Sequence, residues 1–225
     1  MRSYRRTFMM KTMIFRKKKL KQEHKVMRQA ELAQGALLPE YHRPTPECPN
    51  PERWSMYDSM TAEVEVLEFL RTLVTTVKPE LVVETGAFLG VSTLWIAEGL
   101  KRNGFGKIIS CELDPVVFAK AQEKIAQSNL SDWIELRNES SLEMKIEGRI
   151  GILFSDSDMP IREPEVKRFL PQINPQGLIL LHDASSHLKV VREAALRMEA
   201  EGLLSVVLLP TPRGFVVAQK REGRR

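Results

Sequence analysis

The stretch that decides the fold is VVETGAFLGVS, residues 82–92. It follows Leu81, so Leu81, Val82 and Val83 form an apolar run of the kind that makes a strand buried on both faces. After it comes STLWIAEGLKR (92–102), which reads as a helix. A glycine-bearing turn between strand and helix suits a ligand that approaches backbone closely. Here the glycines, Gly86 and Gly90, are spaced Gly-x-x-x-Gly. That differs from Gly-x-Gly-x-x-Gly, in which a pyrophosphate lies over the turn. Glu84 argues the same way, because a carboxylate beside the turn repels pyrophosphate. It suits a ligand with a cationic group, such as an ammonium. Ser92 reads as the N-cap of the helix, whose free N–H groups favour a carboxylate.

Outward from this turn, strand and helix patterns alternate. KIISCEL (107–113), DWIELRN (132–138), IGILFSD (150–156) and GLILLHD (177–183) read as strands. Helices are expected at 115–129, 164–173 and 185–200, and an earlier apolar stripe from Val66 to Val77 gives another, with Thr61 as its N-cap. Such alternation implies a mainly parallel sheet with helices on both faces. LLSVVLLP (203–210) and GFVVAQK (214–220) are separated only by TPR, so they pair antiparallel. The expectation is a seven-stranded α/β sheet ending in an antiparallel hairpin.

Ahead of this domain, expected to span residues 60–225, lie two segments of different composition. Residues 1–28 hold eleven Lys/Arg and one acid, a charge of +10, whereas the rest of the chain is −5. The basic extension reads first as a solvated tail, and second as a patch for nucleic acid or an anionic surface. It lacks the order of a signal peptide, since the basic cluster RKKKLK follows the short apolar stretch. Residues 29–59 carry five prolines between Pro39 and Pro51 and read as a linker or cap. No apolar run approaches the roughly 20 residues of a membrane span. Cys48 and Cys111 lie far apart with no metal-type spacing, which points to a reducing cytoplasm.

Four further stretches carry chemistry, all at strand ends where open α/β sheets place their sites. Glu112 ends the second strand, where a carboxylate can accept both hydroxyls of a ribose. Glu139 and Ser140 lie past the third strand, near an adenine edge if the ribose is at Glu112. Asp156 and Asp158 end the fourth strand, and His182 and Asp183 the fifth. Two acids and a histidine on adjacent strands can hold a hard divalent cation or form an acid–base cluster. Asp114 is the simpler cap of the helix opened by Pro115. Trp54, Met56, Tyr57 and Met60 offer an apolar lining that could close an acceptor pocket.

These stretches in this order resemble the class I S-adenosylmethionine-dependent methyltransferases, a Rossmann-like fold. They look most like the small O-methyltransferases related to the catechol and caffeoyl-CoA enzymes, and a bacterial branch with an HD motif. The resemblance covers about residues 60–220 and rests on VVETGAFLGVS, CELDP, FSDSD and GLILLHD, together with the closing hairpin. It implies S-adenosylmethionine as cofactor, bordered by Glu84, Gly86, Ala87, Gly90, Ser92, Glu112, Leu113, Glu139, Ser140 and Asp156. It implies Asp156 and Asp183 as ligands of Mg2+ or another divalent cation. Relatives that use metal follow the second Asp with Asn, whereas Ala184 follows Asp183 here.

The reaction expected is O-methylation of a small-molecule hydroxyl. His182 would act as base or acceptor anchor, with Asp156 and Asp183 orienting it or holding the metal. Trp54, Tyr57, Met60 and Asp158 would line the acceptor side. Relatives often form homodimers. Two alternatives are an RNA or protein methyltransferase that uses the basic tail, and a non-catalytic cofactor-binding protein.

Overall fold

The computed structural model describes residues 60–185 and 189–221. The chain divides into two units, residues 1–37 and 38–225, and every described residue lies in the second. The expectations for the basic extension and the proline-rich segment, including Trp54, Met56 and Tyr57, lie outside the described residues.

Seven strands form one sheet: β1 (Leu81–Thr85), β2 (Lys107–Cys111), β3 (Ile134–Arg137), β4 (Ile150–Ser155), β5 (Ile173–His182), β6 (Leu204–Leu209) and β7 (Phe215–Lys220). Their order is β3-β2-β1-β4-β5-β7-β6. The first five run parallel, and β7 enters antiparallel between β5 and β6. β1 and β4 are fully buried along their length, as their unbroken apolar runs require. The helices are α1 (Val64–Val77), α2 (Val91–Asn103), α3 (Pro115–Ala126), α4 (Arg162–Phe169) and α5 (Lys189–Ala200).

Several boundaries differ from the sequence reading, each for a local reason. β5 starts at Ile173, inside the stretch expected to be helical. Ile173 pairs with Ile150 and Leu178 with Ile152, so the register shifts across the Asn174-Pro175-Gln176 insertion. Proline is tolerated in a strand at such an irregularity. α4 begins at Arg162, after a 3-10 turn over Met159–Ile161, and ends before Pro171, which has no N–H to extend it. Residues 131–133 form a 3-10 turn, so β3 is shortened to four residues. The N-cap of α1 is Glu63, not Thr61, and its side chain makes no capping bond because it is held elsewhere. Asp114 does cap α3, its Oδ1 accepting from the N–H groups of Val116 and Val117 at 2.7 and 3.1 Å.

Side-chain alternation along β1 sends neighbours to opposite faces. On one face, Val83 joins a core of Ile109, Leu153, Ile179 and Leu181 that packs against Val166 and Phe169 of α4 and Val191, Ala195 and Met198 of α5. α1 packs against α2. The sheet therefore presents the carboxyl ends of β1, β2, β4 and β5 along one edge. The strand order reverses between β1 and β4, the place where open α/β sheets leave a crevice.

Candidate active site

The crevice is a cavity of about 420 Å3 lined from one end to the other by strand-end residues. Gly86, Glu112, Leu113, Glu139, Ser140, Asp156, Asp158, Asp183 and Met60 from the sequence reading all reach its wall. A smaller adjoining cavity touches Ala87 and Ser92. Gly90 lines neither.

Gly86 marks the switch between β1 and β4. Its φ is +82°, and a Cβ there would lie 2.6 Å from the carbonyl oxygen of Asp156. Only glycine lets these two backbones approach so closely. Gly90, with φ +75°, is the N-cap of α2; Ser92 is not the cap. Ser92 lies one residue into the helix, and its hydroxyl donates to Glu84 at 2.5 Å.

Glu84 departs from the expectation of a ligand-facing acid. It is fully buried, and its carboxylate accepts from Ser92, Thr93 and Ser110, each at 2.5 Å. Burial raises its pKa above the ordinary carboxylate range despite those three donors. The residue ties β1 to α2 and β2, and it reaches neither cavity. On the opposite face, Glu165 of α4 forms a second knot. It accepts from Thr85 at 2.8 Å and Ser155 at 2.6 Å, and also from Ser141.

Glu112 is arranged differently. Its Oε2 accepts from the N–H of Phe88 and its Oε1 from the N–H of Asp114, both at 2.9 Å. Phe88 adopts a left-handed backbone, φ 48°, which aims its N–H at that oxygen. Two backbone donors fix the carboxylate, and each oxygen keeps lone pairs for the cavity. Leu113 beside it is 69% exposed, a flat apolar surface on the same wall. Glu139 is held from behind by Arg137 at 3.4 Å.

The far end of the cavity is a closed charge cluster. His182 is fully buried. Its Nε2 lies 2.8 Å from Glu63, and its Nδ1 lies 3.2 Å from Asp156 and 3.6 Å from Asp183. Burial alone would lower its pKa, but the charge and hydrogen bond of Asp156, the hydrogen bond of Glu63 and the charge of Asp183 outweigh it and raise the value to about 10. The ring is therefore an imidazolium near neutrality, with both N–H groups donating. Both ring nitrogens face carboxylates, and the ring does not line the cavity, so the expected base stands behind the cavity wall.

Arg162, 2% exposed, lies between the two aspartates. Its Nη2 is 3.1 Å from Asp156 and 3.0 Å from Asp183, its Nε donates to the carbonyl of Ser157 at 2.8 Å, and its Nη1 donates to the carbonyl of His182. Arg213 closes the group. Its Nε donates to Asp183 at 2.6 Å and its backbone N–H to Glu63 at 2.8 Å. Burial would raise the Asp183 pKa, but His182, Arg213 and Arg162 hold it below the ordinary range. Glu63 is also lowered, its burial overcome by His182 and the Arg213 N–H. Asp183 has φ 57°, a left-handed conformation that aspartate tolerates better than most residues, and its carboxylate meets both arginines.

Asp156, His182 and Asp183 do bring ligand-type atoms within 4.8 Å of one another. They do not fit a divalent cation as arranged. Arg162 already lies between the two aspartates, Arg213 holds Asp183, and the His182 nitrogens face Glu63 and Asp156. The sequence reading missed Glu63, Arg162, Arg213 and Glu165. Arg162 precedes the helix expected at 164–173, and Arg213 lies in the TPR turn, so neither stood out. Only the fold brings them to the strand ends.

Residues 83–184 match the family described as "Methyltransferase domain". The fold is shared with solved methyltransferases. The chain is similar to O-methyltransferases. It is 26% identical over 141 residues to the catechol O-methyltransferase of Niastella koreensis, covering 60% of this chain and 63% of that protein. The SAH-bound Podospora anserina methyltransferase PaMTH1 superposes with a TM-score of 0.65 at 17% identity, covering 77% of this chain and 82% of that one. The Bacillus cereus O-methyltransferase in complex with SAH gives a TM-score of 0.63 at 20% identity, covering 73% and 84%. The chain thus matches less than two thirds of the curated relative's length. Among the described residues, no helix is long and apolar enough to cross a membrane.

Proposed function

We propose that this chain is an S-adenosylmethionine-dependent methyltransferase that O-methylates a small-molecule hydroxyl. The observation that carries the reading is Glu112: a carboxylate fixed by two backbone N–H groups, with lone pairs left toward an open cavity. A ribose diol is the chemistry that such a carboxylate accepts from. Leu113 offers an apolar face to the adenine, with Glu139 and Ser140 at its edge. Gly86, Ala87 and the N-terminal turn of α2 border the amino-acid end. The relatives named with SAH bound, and the catechol O-methyltransferase relative, support the same reading.

When bound, the cofactor supplies a methyl carbon on sulfonium, whose C–S bond breaks as the acceptor oxygen bonds to that carbon, leaving S-adenosylhomocysteine. The protein's work is alignment and exclusion of water. Met60, Met159 and Ile161 give the acceptor end an apolar wall. His182 does not face the acceptor: it is fully buried behind the cavity wall, with both ring nitrogens against carboxylates. Asp158 can take that role. It lines the cavity, is exposed, and its carboxylate has no partner among the described residues. The proton passes to Asp158 and then to water. Cys111 is buried and unpaired among the described residues, which suits a reducing cytoplasm.

Calorimetric titration with S-adenosylhomocysteine and with NAD tests the ligand class. We expect the first to bind and the second not to. NAD binding without S-adenosylhomocysteine binding would overturn the reading.

A further inference from the structure

The two aspartates at the ends of β4 and β5 stand where the resemblance implied a divalent cation, yet a side chain lies between them. Arg162 is buried, and one nitrogen of its guanidinium spans Asp156 and Asp183 at 3.1 and 3.0 Å. Its remaining bonds, to the carbonyls of Ser157 and His182, fasten it to the same two strand ends. Arg213 takes the other oxygen of Asp183. A hard cation needs several oxygen ligands with open lone pairs. Here it would have to displace a buried guanidinium and add two positive charges beside Arg162 and Arg213, which already meet both aspartates.

We propose that Arg162 is a built-in substitute for the metal, a positioning residue that holds Asp156 and Asp183 at the acceptor end and makes the chain independent of divalent cations. The inference rests on the methyltransferase reading for its purpose, but its geometry does not. Asp156 and Arg162 both line the cavity, so the guanidinium fixes the wall against which the acceptor lies. Arginine suits the place because it stays charged at any working pH and bridges carboxylates in a rigid fork.

The test is Mn2+ binding to the full chain, by calorimetry and electron paramagnetic resonance, for the wild type, Arg162→Ala and Arg162→Lys. Wild type and Arg162→Lys should show no saturable binding up to roughly 1 mM Mn2+, the weak end of protein cation sites. Arg162→Ala uncovers two carboxylates, so it should bind Mn2+ at least about tenfold more tightly and melt at a higher temperature when Mn2+ is added. A merely structural arginine would not produce a gained metal site. Saturable Mn2+ binding by the wild type in that range overturns the proposal, and so does a folded Arg162→Ala that gains none. If Arg162→Ala does not fold, the wild-type titration alone decides. S-adenosylhomocysteine is titrated into the same wild-type sample with and without EDTA. Failure to bind it would sink the methyltransferase reading and leave the Mn2+ result standing.

Discussion

The two ends of the cavity use carboxylates in opposite ways. At the β2 end, Glu112 is held by two neutral backbone N–H groups and keeps lone pairs facing open space. At the β4–β5 end, Asp156, Asp183 and Glu63 are met by Arg162, Arg213 and His182. The first arrangement waits for a polar ligand. The second is complete within the chain and acts as a wall. Residue type alone does not separate them, since Glu112, Asp156 and Asp183 are all acids at the carboxyl ends of strands. What separates them is whether a cation from elsewhere in the fold has reached the carboxylate.

Removing a cation from the closed end should have the greatest effect. Arg162→Met removes the guanidinium shared by Asp156 and Asp183, leaving them only His182 and Arg213, and should destabilise the fold by about 3 kcal/mol, read by urea denaturation. A loss under about 1 kcal/mol would mean the cluster is not closed as described. Asp158→Asn should lower kcat by about 100-fold or more with S-adenosylhomocysteine affinity unchanged, once an acceptor is found. An unchanged kcat would remove Asp158 as the proton acceptor.

At the open end, Glu112→Ala should cost about 1.5–3 kcal/mol of S-adenosylhomocysteine binding, with little change in melting temperature. Glu84→Ala should do the reverse. It strands three buried hydroxyls and should lower stability by about 1–3 kcal/mol, while the folded fraction still binds S-adenosylhomocysteine.

The pH dependence follows from His182. Its pKa rises from 6.5 to about 10 on folding. The stabilisation is therefore fully present below pH 6.5 and is lost progressively as pH climbs toward 10. Between those limits the unfolded chain binds fewer protons, so unfolding free energy falls with rising pH. His182→Gln should flatten that part of the curve. A wild-type curve that rises from pH 6.5 to 9 on account of His182 would contradict the imidazolium.

How much of this could be read in the sequence also differs between the two ends. The sheet was legible, because strand runs alternate with helical stripes and a three-residue turn forces the last pair antiparallel. The places of Gly86 and Glu112 on the cavity wall were legible because they depend on local backbone: the turn after β1 and the end of β2. Glu84 was not, since period-2 alternation points it into the layer between sheet and α2, where Thr93 and Ser110 meet it from separate elements. The partners of His182 were hidden for a related reason: Glu63, 119 residues earlier, lies against its Nε2. Long-range ion pairs leave no periodic trace, so Arg162 and Arg213 were not singled out.

The most direct test of the contrast is one calorimetric titration series with S-adenosylhomocysteine into wild type, Glu84→Ala and Glu112→Ala. Wild type and Glu84→Ala should bind with similar affinity, and Glu112→Ala at least about tenfold more weakly. If Glu112→Ala binds as the wild type does while Glu84→Ala does not, the open carboxylate has been placed at the wrong residue and the account fails.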